Sequence, residues 1–339
     1  MKKLLVYPFT KELCPLARYR NLLNEYELIA AIPPKGFGWE GKDACEIDGG
    51  APTGFIPGGT FSDELKRSDA VLLASGVQNT EKEYAEYAEL ARASAKELVA
   101  ITSNTMPEQE IQTQMEPILK EIPVPVIMVM GLGENCQKFD IQLGLRDAFI
   151  KEGYRVSQFG TKPYSGLFGV HPMPEAPGTP LWKRVHLYNN LFWETCQAEK
   201  PDVLIVGVPG GIMPVTSYAH ERFGETALAL THAASPDITV LSYYHVVPTN
   251  EYFEMLRQYA RFRLGAVNIT FHASNTGLIT DGDTHTLSYL TLRSQFVLDE
   301  TARDAPDMLP YLFNSLIPES SGPAYQNIIE KLQQNVCVI

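Results

Sequence analysis

The chain is poor in the residues that mark several protein classes. Only 5 of its 339 residues are cysteine (Cys14, Cys45, Cys136, Cys196, Cys337), an odd number with no CxxC pair and no metal-ligand spacing, which excludes a disulfide framework and fits a reduced compartment. Positive charge is short as well: 28 Lys plus Arg face 40 Asp plus Glu, a net charge of −12, and no basic patch stands out. Nucleic acid and anionic membrane surfaces are therefore excluded as broad electrostatic partners. The longest apolar runs, such as Pro125-Val-Ile-Met-Val-Met130, fall far short of the roughly 20 residues that a bilayer span needs. The opening Met1-Lys-Lys-Leu-Leu-Val-Tyr-Pro8 lacks the apolar region and small-residue cleavage site of a signal peptide, and Cys337-Val-Ile is one residue short of a prenylation box. A cytoplasmic protein without membrane attachment is expected.

What is present is an ordinary globular composition, 45% hydrophobic and 20% charged, in a chain long enough for two cores. Short β-rich runs alternate with helical stretches, the pattern of parallel sheets covered by helices. A first series comprises residues 4–7, 28–32, 70–74 and 98–101, with a helix over about 81–95. It predicts a small Rossmann-like domain, although no GxGxxG stands between a strand and a helix there. Residues 106–125 are polar and end in prolines, so they are read as a linker, with domains at 1–123 and 124–339. The second series, 126–130, 154–159, 203–206, 238–242 and 267–271, predicts a doubly wound sheet, with helices over 138–152 and 251–264 and Gly153 ending the first. Beyond Phe271 the pattern blurs, leaving a strand over 286–292 and a terminal helix over 325–334.

Val129-Met-Gly-Leu-Gly-Glu-Asn-Cys-Gln-Lys-Phe-Asp140 carries the chemistry, because there a strand runs into a helix through small and polar residues. Backbone N–H groups at a helix start favour phosphate or carboxylate. Gly131 and Gly133 would let the backbone close round an oxyanion, with Glu134, Asn135, Cys136 and Gln137 along the loop and Lys138 reaching over it. Cys136, beside a helix start and Lys138, is a candidate low-pKa thiol, or simply a small residue. His171, His220, His232, His245 and His272 all follow predicted strands or lie on connections of the second domain; each is a candidate general base or a hydrogen-bonded structural residue. Residues 274–276 read as a polar loop that could touch a ligand, and Asp281-Gly-Asp283 reads as a turn, not a calcium loop.

Gly131, six residues, then Lys138-Phe-Asp140 and a helix ending Lys151-Glu-Gly-Tyr-Arg-Val156 resembles the longer phosphate loop of dethiobiotin synthetase and cobyric acid synthase relatives. It is closer to a two-domain P-loop family linked to D-glutamate N-acetylation, whose later segments are matched here by residues 160–169, 202–211 and 230–237. The opening residues 3–18, with Gly-Glu-Asn-Cys-Gln-Lys-Phe139 at the loop, resemble a clostridial group of peptide maturation proteins found with ribosomal peptide natural products. The resemblance implies an α/β fold in which a small Rossmann-like domain precedes a doubly wound P-loop-NTPase-like domain. It ranks Lys162 as a further phosphate contact, and His232 then His171 as candidate bases. The chain departs from the family pattern at three positions. Gln137 replaces the second loop glycine, Phe139 stands where a magnesium-binding Ser or Thr belongs, and Gly207 where an acidic residue belongs. Losing both metal ligands argues against efficient NTP hydrolysis, and Mg²⁺ would need Asp140 or Glu134 as a substitute.

Three functions fit this reading. The first is a protein that binds a phosphate-bearing, nucleotide-like small molecule and serves in maturation of a ribosomally made peptide. The second is a transferase, an acyl-coenzyme A-dependent N-acyltransferase acting on an amino acid or peptide. The third is a non-catalytic scaffold for a precursor peptide or modifying enzyme. A homo-oligomer is compatible with each.

Overall fold

The computed structural model describes the chain apart from residues 76–79, 100, 102–117, 247–248, 305–311 and 337–339, so most of the expected linker and the tail at Cys337 lie outside the described residues. Two compact units result: Met1–Ser103 with Pro163–Gly169, and Asn104–Lys162 with Val170–Ile339.

In the first unit, β1 (Lys2–Tyr7), β2 (Tyr26–Ala31), β3 (Ala70–Leu73) and β4 (Glu97–Val99) form a parallel sheet ordered β2-β1-β3-β4. Leu4, Leu5 and Val6 are wholly buried, as a run apolar on both faces must be in a sheet covered on both sides. Helix Glu81–Ala93 turns Ala88 and Ala91 to the sheet, and Tyr87 stacks on Phe61 with ring centroids 3.9 Å apart. The glycine-rich stretch after β2 is tied by its own polar groups. Asp43 accepts the N–H groups of Cys45, Thr53 and Gly54 at 2.8–2.9 Å, and Arg18 pairs with Asp48 at 2.8 Å.

The second unit holds an eight-stranded sheet ordered β11-β10-β9-β5-β8-β6-β7, with β12 (Leu312–Phe313) beside β10. Its strands are β5 (Val126–Gly131), β6 (Val156–Gly160), β7 (His171–Pro172), β8 (Val203–Gly207), β9 (Ile238–His245), β10 (Ile269–Asp281) and β11 (Thr286–Thr291). All pair in parallel except β10 with β11, which form an antiparallel hairpin. β5 lies at the centre with every residue buried. Helix Lys138–Lys151 sets Ile141, Leu145 and Phe149 on one face against the Ile127 and Val129 side of the sheet. Gly153 takes φ +87° just past its end, the left-handed conformation that glycine adopts without strain.

The strand expected to end at Phe271 instead runs thirteen residues, so residues 274–276 belong to a buried strand and not a polar loop. Buried polar residues interrupt the apolar run that a sequence reading follows; here Thr276 Oγ1 and the Asn275 N–H reach the neighbouring loop, while Asn275 Nδ2 donates to the Leu292 carbonyl. Helix Leu181–Glu199, nineteen residues long, fills a stretch where no element was expected. The terminal helix starts earlier than expected, at Pro318–Val336. The fold is thus α/β, with a small Rossmann-like parallel sheet and a larger, mostly parallel, doubly wound sheet. Among the described residues no helix is long and apolar enough to cross a membrane.

Candidate functional site

β5, β8 and β9 run parallel, so Gly131, Gly207 and the end of β9 meet at one sheet edge, the edge where open α/β sheets hold ligands. From that edge the loop 132–137 leads into helix Lys138–Lys151. Three successive loop carbonyls are fastened to the sheet by side-chain hydroxyls. Tyr244 Oη donates to the Glu134 carbonyl (2.5 Å), Thr276 Oγ1 to that of Asn135 (2.7 Å) and Ser242 Oγ to that of Cys136 (2.6 Å). The Gln137 side-chain oxygen accepts the Asn275 N–H at 3.0 Å. Asn135 and Gln137 have φ of +57° and +59° while Cys136 between them does not, the alternation that makes successive amides converge on an anion. Among the described residues none accepts the N–H of Glu134, Asn135, Cys136 or Gln137.

Lys138 is buried, and its ammonium donates to the carbonyls of Gly133 (3.0 Å) and Gly210. Two carboxylates complete this clamp: Glu134 Oε1 accepts the Gly210 N–H at 3.0 Å, and Glu221 Oε2 accepts the Gly211 N–H at 2.9 Å. Burial, then the nearby Glu134 carboxylate, raises the Glu221 pKa. The glycines of the loop are demanded by packing. A Cβ on Gly131 would lie 3.1 Å from both Cys136 and Lys138, and one on Gly133 would overlap the Tyr244 hydroxyl. The reactive reading of Cys136 does not survive this packing. The thiol is wholly buried, and burial outweighs the Lys138 charge and pushes its pKa up to about 11.

The residues do not fit a magnesium ion at the customary place. Phe139 is buried and points to Gly160, while the space beside Gly207 that an acidic side chain would need is filled by the Gln142 amide, which accepts from Gln158 Nε2 at 3.2 Å. Among the described residues no group of three or more His, Cys, Asp and Glu could hold a metal.

Of the expected site residues, the structure brings together Gly131, Gly133, Glu134, Asn135, Cys136, Gln137 and Lys138. Lys162 follows β6, which is separated from β5 by β8. His232 is exposed on the last turn of helix Glu225–Ala233, which leads into the start of β9 and thus to the opposite end of the sheet from the loop. His171 Nε2 meets Glu199 Oε1 at 2.6 Å, and its ring lies on Phe159. Neither histidine is brought to the loop. His272, expected on a connection, is wholly buried in β10. Ser242 spends its proton on Cys136, so His272 Nδ1–H donates to Ser242 Oγ at 2.9 Å, while Nε2 accepts the Ser315 N–H at 3.0 Å. It therefore supports the loop from behind as a neutral imidazole, and burial lowers its pKa to about 3. His245 instead pairs with Glu300 at 3.0 Å.

Sequence reasoning missed Tyr244, Ser242 and Glu221, and it read Thr276 as part of a ligand-touching loop where the residue instead braces the Asn135 carbonyl from β10. Glu221, Arg222 and Phe223 form three consecutive left-handed residues, with φ of +48°, +48° and +56°, before Gly224 at +73°. Such a turn costs on the order of 1 kcal/mol or more per non-glycine residue, and such strain clusters at functional sites. It is held by Phe223 N–H donating to the His220 carbonyl (2.6 Å) and Arg263 to that of Phe223 (3.1 Å). Only the final glycine could have flagged it.

No protein-family model matches the chain, and no curated protein matches it by sequence. Among solved structures, a DUF1611 family protein from Anabaena variabilis is similar with a TM-score of 0.58 at 12% identity, over 98% of this chain and 100% of that chain. A nucleotide-binding protein in complex with ADP from Archaeoglobus fulgidus gives a TM-score of 0.33 at 14% identity, over 68% of this chain and 93% of that chain. A GTPase from Pyrococcus abyssi gives 0.33 at 11%, over 63% and 98%. The first likeness extends the α/β fold over essentially the whole of both chains.

Proposed function

We propose that the chain binds a phosphate-bearing, nucleotide-like small molecule at residues 131–138 without efficient NTP hydrolysis, and that it serves in maturation of a ribosomally made peptide. The observation that carries the binding reading is the loop itself. Its carbonyls are taken up by Tyr244, Thr276 and Ser242, while four consecutive amides have no acceptor among the described residues. Unsatisfied amides beside a helix start favour an anion. The Lys138 ammonium, now on two backbone carbonyls, is the cation nearest to hand. Weak hydrolysis follows from Phe139 and Gln142 occupying the metal-ligand positions. The peptide-maturation part rests on the resemblance of residues 3–18 and 133–139 to the clostridial proteins.

Thermal unfolding with ATP, GTP and acyl-coenzyme A, each with and without Mg²⁺, tests this reading. A ligand at about 100 times its Kd stabilises by about 2.7 kcal/mol. The expected result is stabilisation by a nucleotide that is insensitive to Mg²⁺ and is lost in Lys138→Met. A response to acyl-coenzyme A alone would transfer the loop to acyl transfer, and no response to any of them would leave the loop as architecture. Rapid Mg²⁺-dependent ATP turnover would refute the hydrolysis claim.

A further inference from the structure

Beside the loop, a cavity of about 380 Å³ opens between the start of helix Leu181–Glu199 and the strained turn at 221–224. Its charged lining is mixed, with Arg184 and Arg222 against Glu134, Glu175 and Glu221. Arg184 is 4% exposed; its Nη2 forms an ion pair with Glu225 (2.5 Å), itself 44% exposed, and its Nε is buried with no hydrogen-bond partner among the described residues. A guanidinium with a buried donor left unpaired at the wall of a cavity is a docking point for an acidic group, because such a donor is costly and a carboxylate relieves it. Tyr188, whose hydroxyl donates to the Pro174 carbonyl at 3.2 Å, lines the same cavity as Arg184, Glu175 and Arg222, so opposite charges share its wall.

We propose that this cavity is a second ligand site, for a small zwitterion whose acidic group docks on Arg184 and whose amine faces the glutamates. The charge inventory selects that class. A plain anion would meet three carboxylates and a plain cation two guanidiniums, whereas a molecule with both ends finds a partner for each. The volume lies within the few hundred Å³ usual for small-molecule sites. Glu134 and Gly210 line the cavity and also belong to the Lys138 clamp, so its occupant would lie next to whatever the loop holds. The site stands on its own observations and is measurable with the loop empty.

Ligand-observed NMR on the full chain with 2-aminobutyrate of each hand, 4-aminobutyrate, butyrate and butylamine tests it, since these share one carbon count and differ in charge. At least one zwitterion should bind about tenfold or more tightly than the acid-only and amine-only molecules, as expected when a charged pair is removed. Arg184→Gln should abolish that preference without changing the response to ATP. Should that variant fail to fold, Thr226→Trp, which fills the cavity from a half-exposed position, should block the zwitterion instead. Equal binding of all five molecules, silence from all, or undiminished zwitterion binding in a folded Arg184→Gln would overturn the proposal. Failure of ATP to bind while a zwitterion does would fall on the loop reading alone.

Discussion

His272 shows what a single buried side chain contributes behind a loop that it never contacts through its own atoms. It bridges Ser315 and Ser242, and Ser242 in turn holds the Cys136 carbonyl. A charged imidazolium there would be desolvated and would clash with the N–H it now accepts, so the folded-state pKa drops from the usual 6.5 to about 3. Between those values the unfolded chain binds a proton that the native one refuses. The His272 contribution is therefore fully present above about 6.5 and is lost as pH falls toward 3. Urea midpoints measured across that window should fall with pH, and His272→Gln should flatten the part of the slope that carboxylates do not supply; an unchanged slope would mean that the imidazole is not buried neutral. Cys136 follows the same logic. A neighbouring lysine and a helix start favour thiolate in the sequence, but complete burial reverses the balance. Solvation of one atom depends on the whole surrounding fold, so the sequence named these residues without disclosing their state.

At the scale of elements, the missing metal ligands and their structural substitutes form one unit. The end of β8 and the first turns of helix Lys138–Lys151 touch at Gly207 and Gln142, closely enough that a Cβ on Gly207 overlaps the glutamine amide. Gly207→Asp should thus destabilise by about 1–3 kcal/mol through overpacking, and Gln142→Ala should recover much of that loss in the double variant. Additive effects in chemical denaturation would show that the two positions are independent. The departures at Phe139 and Gly207 were legible as residue types at motif spacing. The glutamine that fills the gap was not, because it comes from within the helix and meets β8 only through tertiary packing. Likewise β10 looked broken after Phe271. Its polar residues 274–276 face the loop 135–137 from about 140 positions away in sequence, a pairing that no local pattern records.

For the whole molecule, charge is the property already settled by composition. With −12 spread over 339 residues, polyanions should be repelled most strongly at low salt, where the Debye length reaches about 30 Å and the net charge acts as a unit. Electrophoretic mobility of DNA should therefore be unchanged by the protein at about 0.01 M ionic strength; a retarded band would reveal a basic surface assembled by folding. The alternation of apolar runs with helices likewise determined an α/β chain with two sheets, and glycine spacing located the loop after β5, because each of these is a local pattern that period and turn chemistry express directly. Only the tertiary structure decided which groups serve that loop. It placed hydroxyls from β9 and β10 on the loop carbonyls, moved His232 to the far edge, and brought Arg184 and Glu221 to one cavity. The physical reason is that hydrogen bonds and burial act between atoms adjacent in space, and a strand order of β9-β5-β8 makes neighbours of residues that the chain keeps far apart.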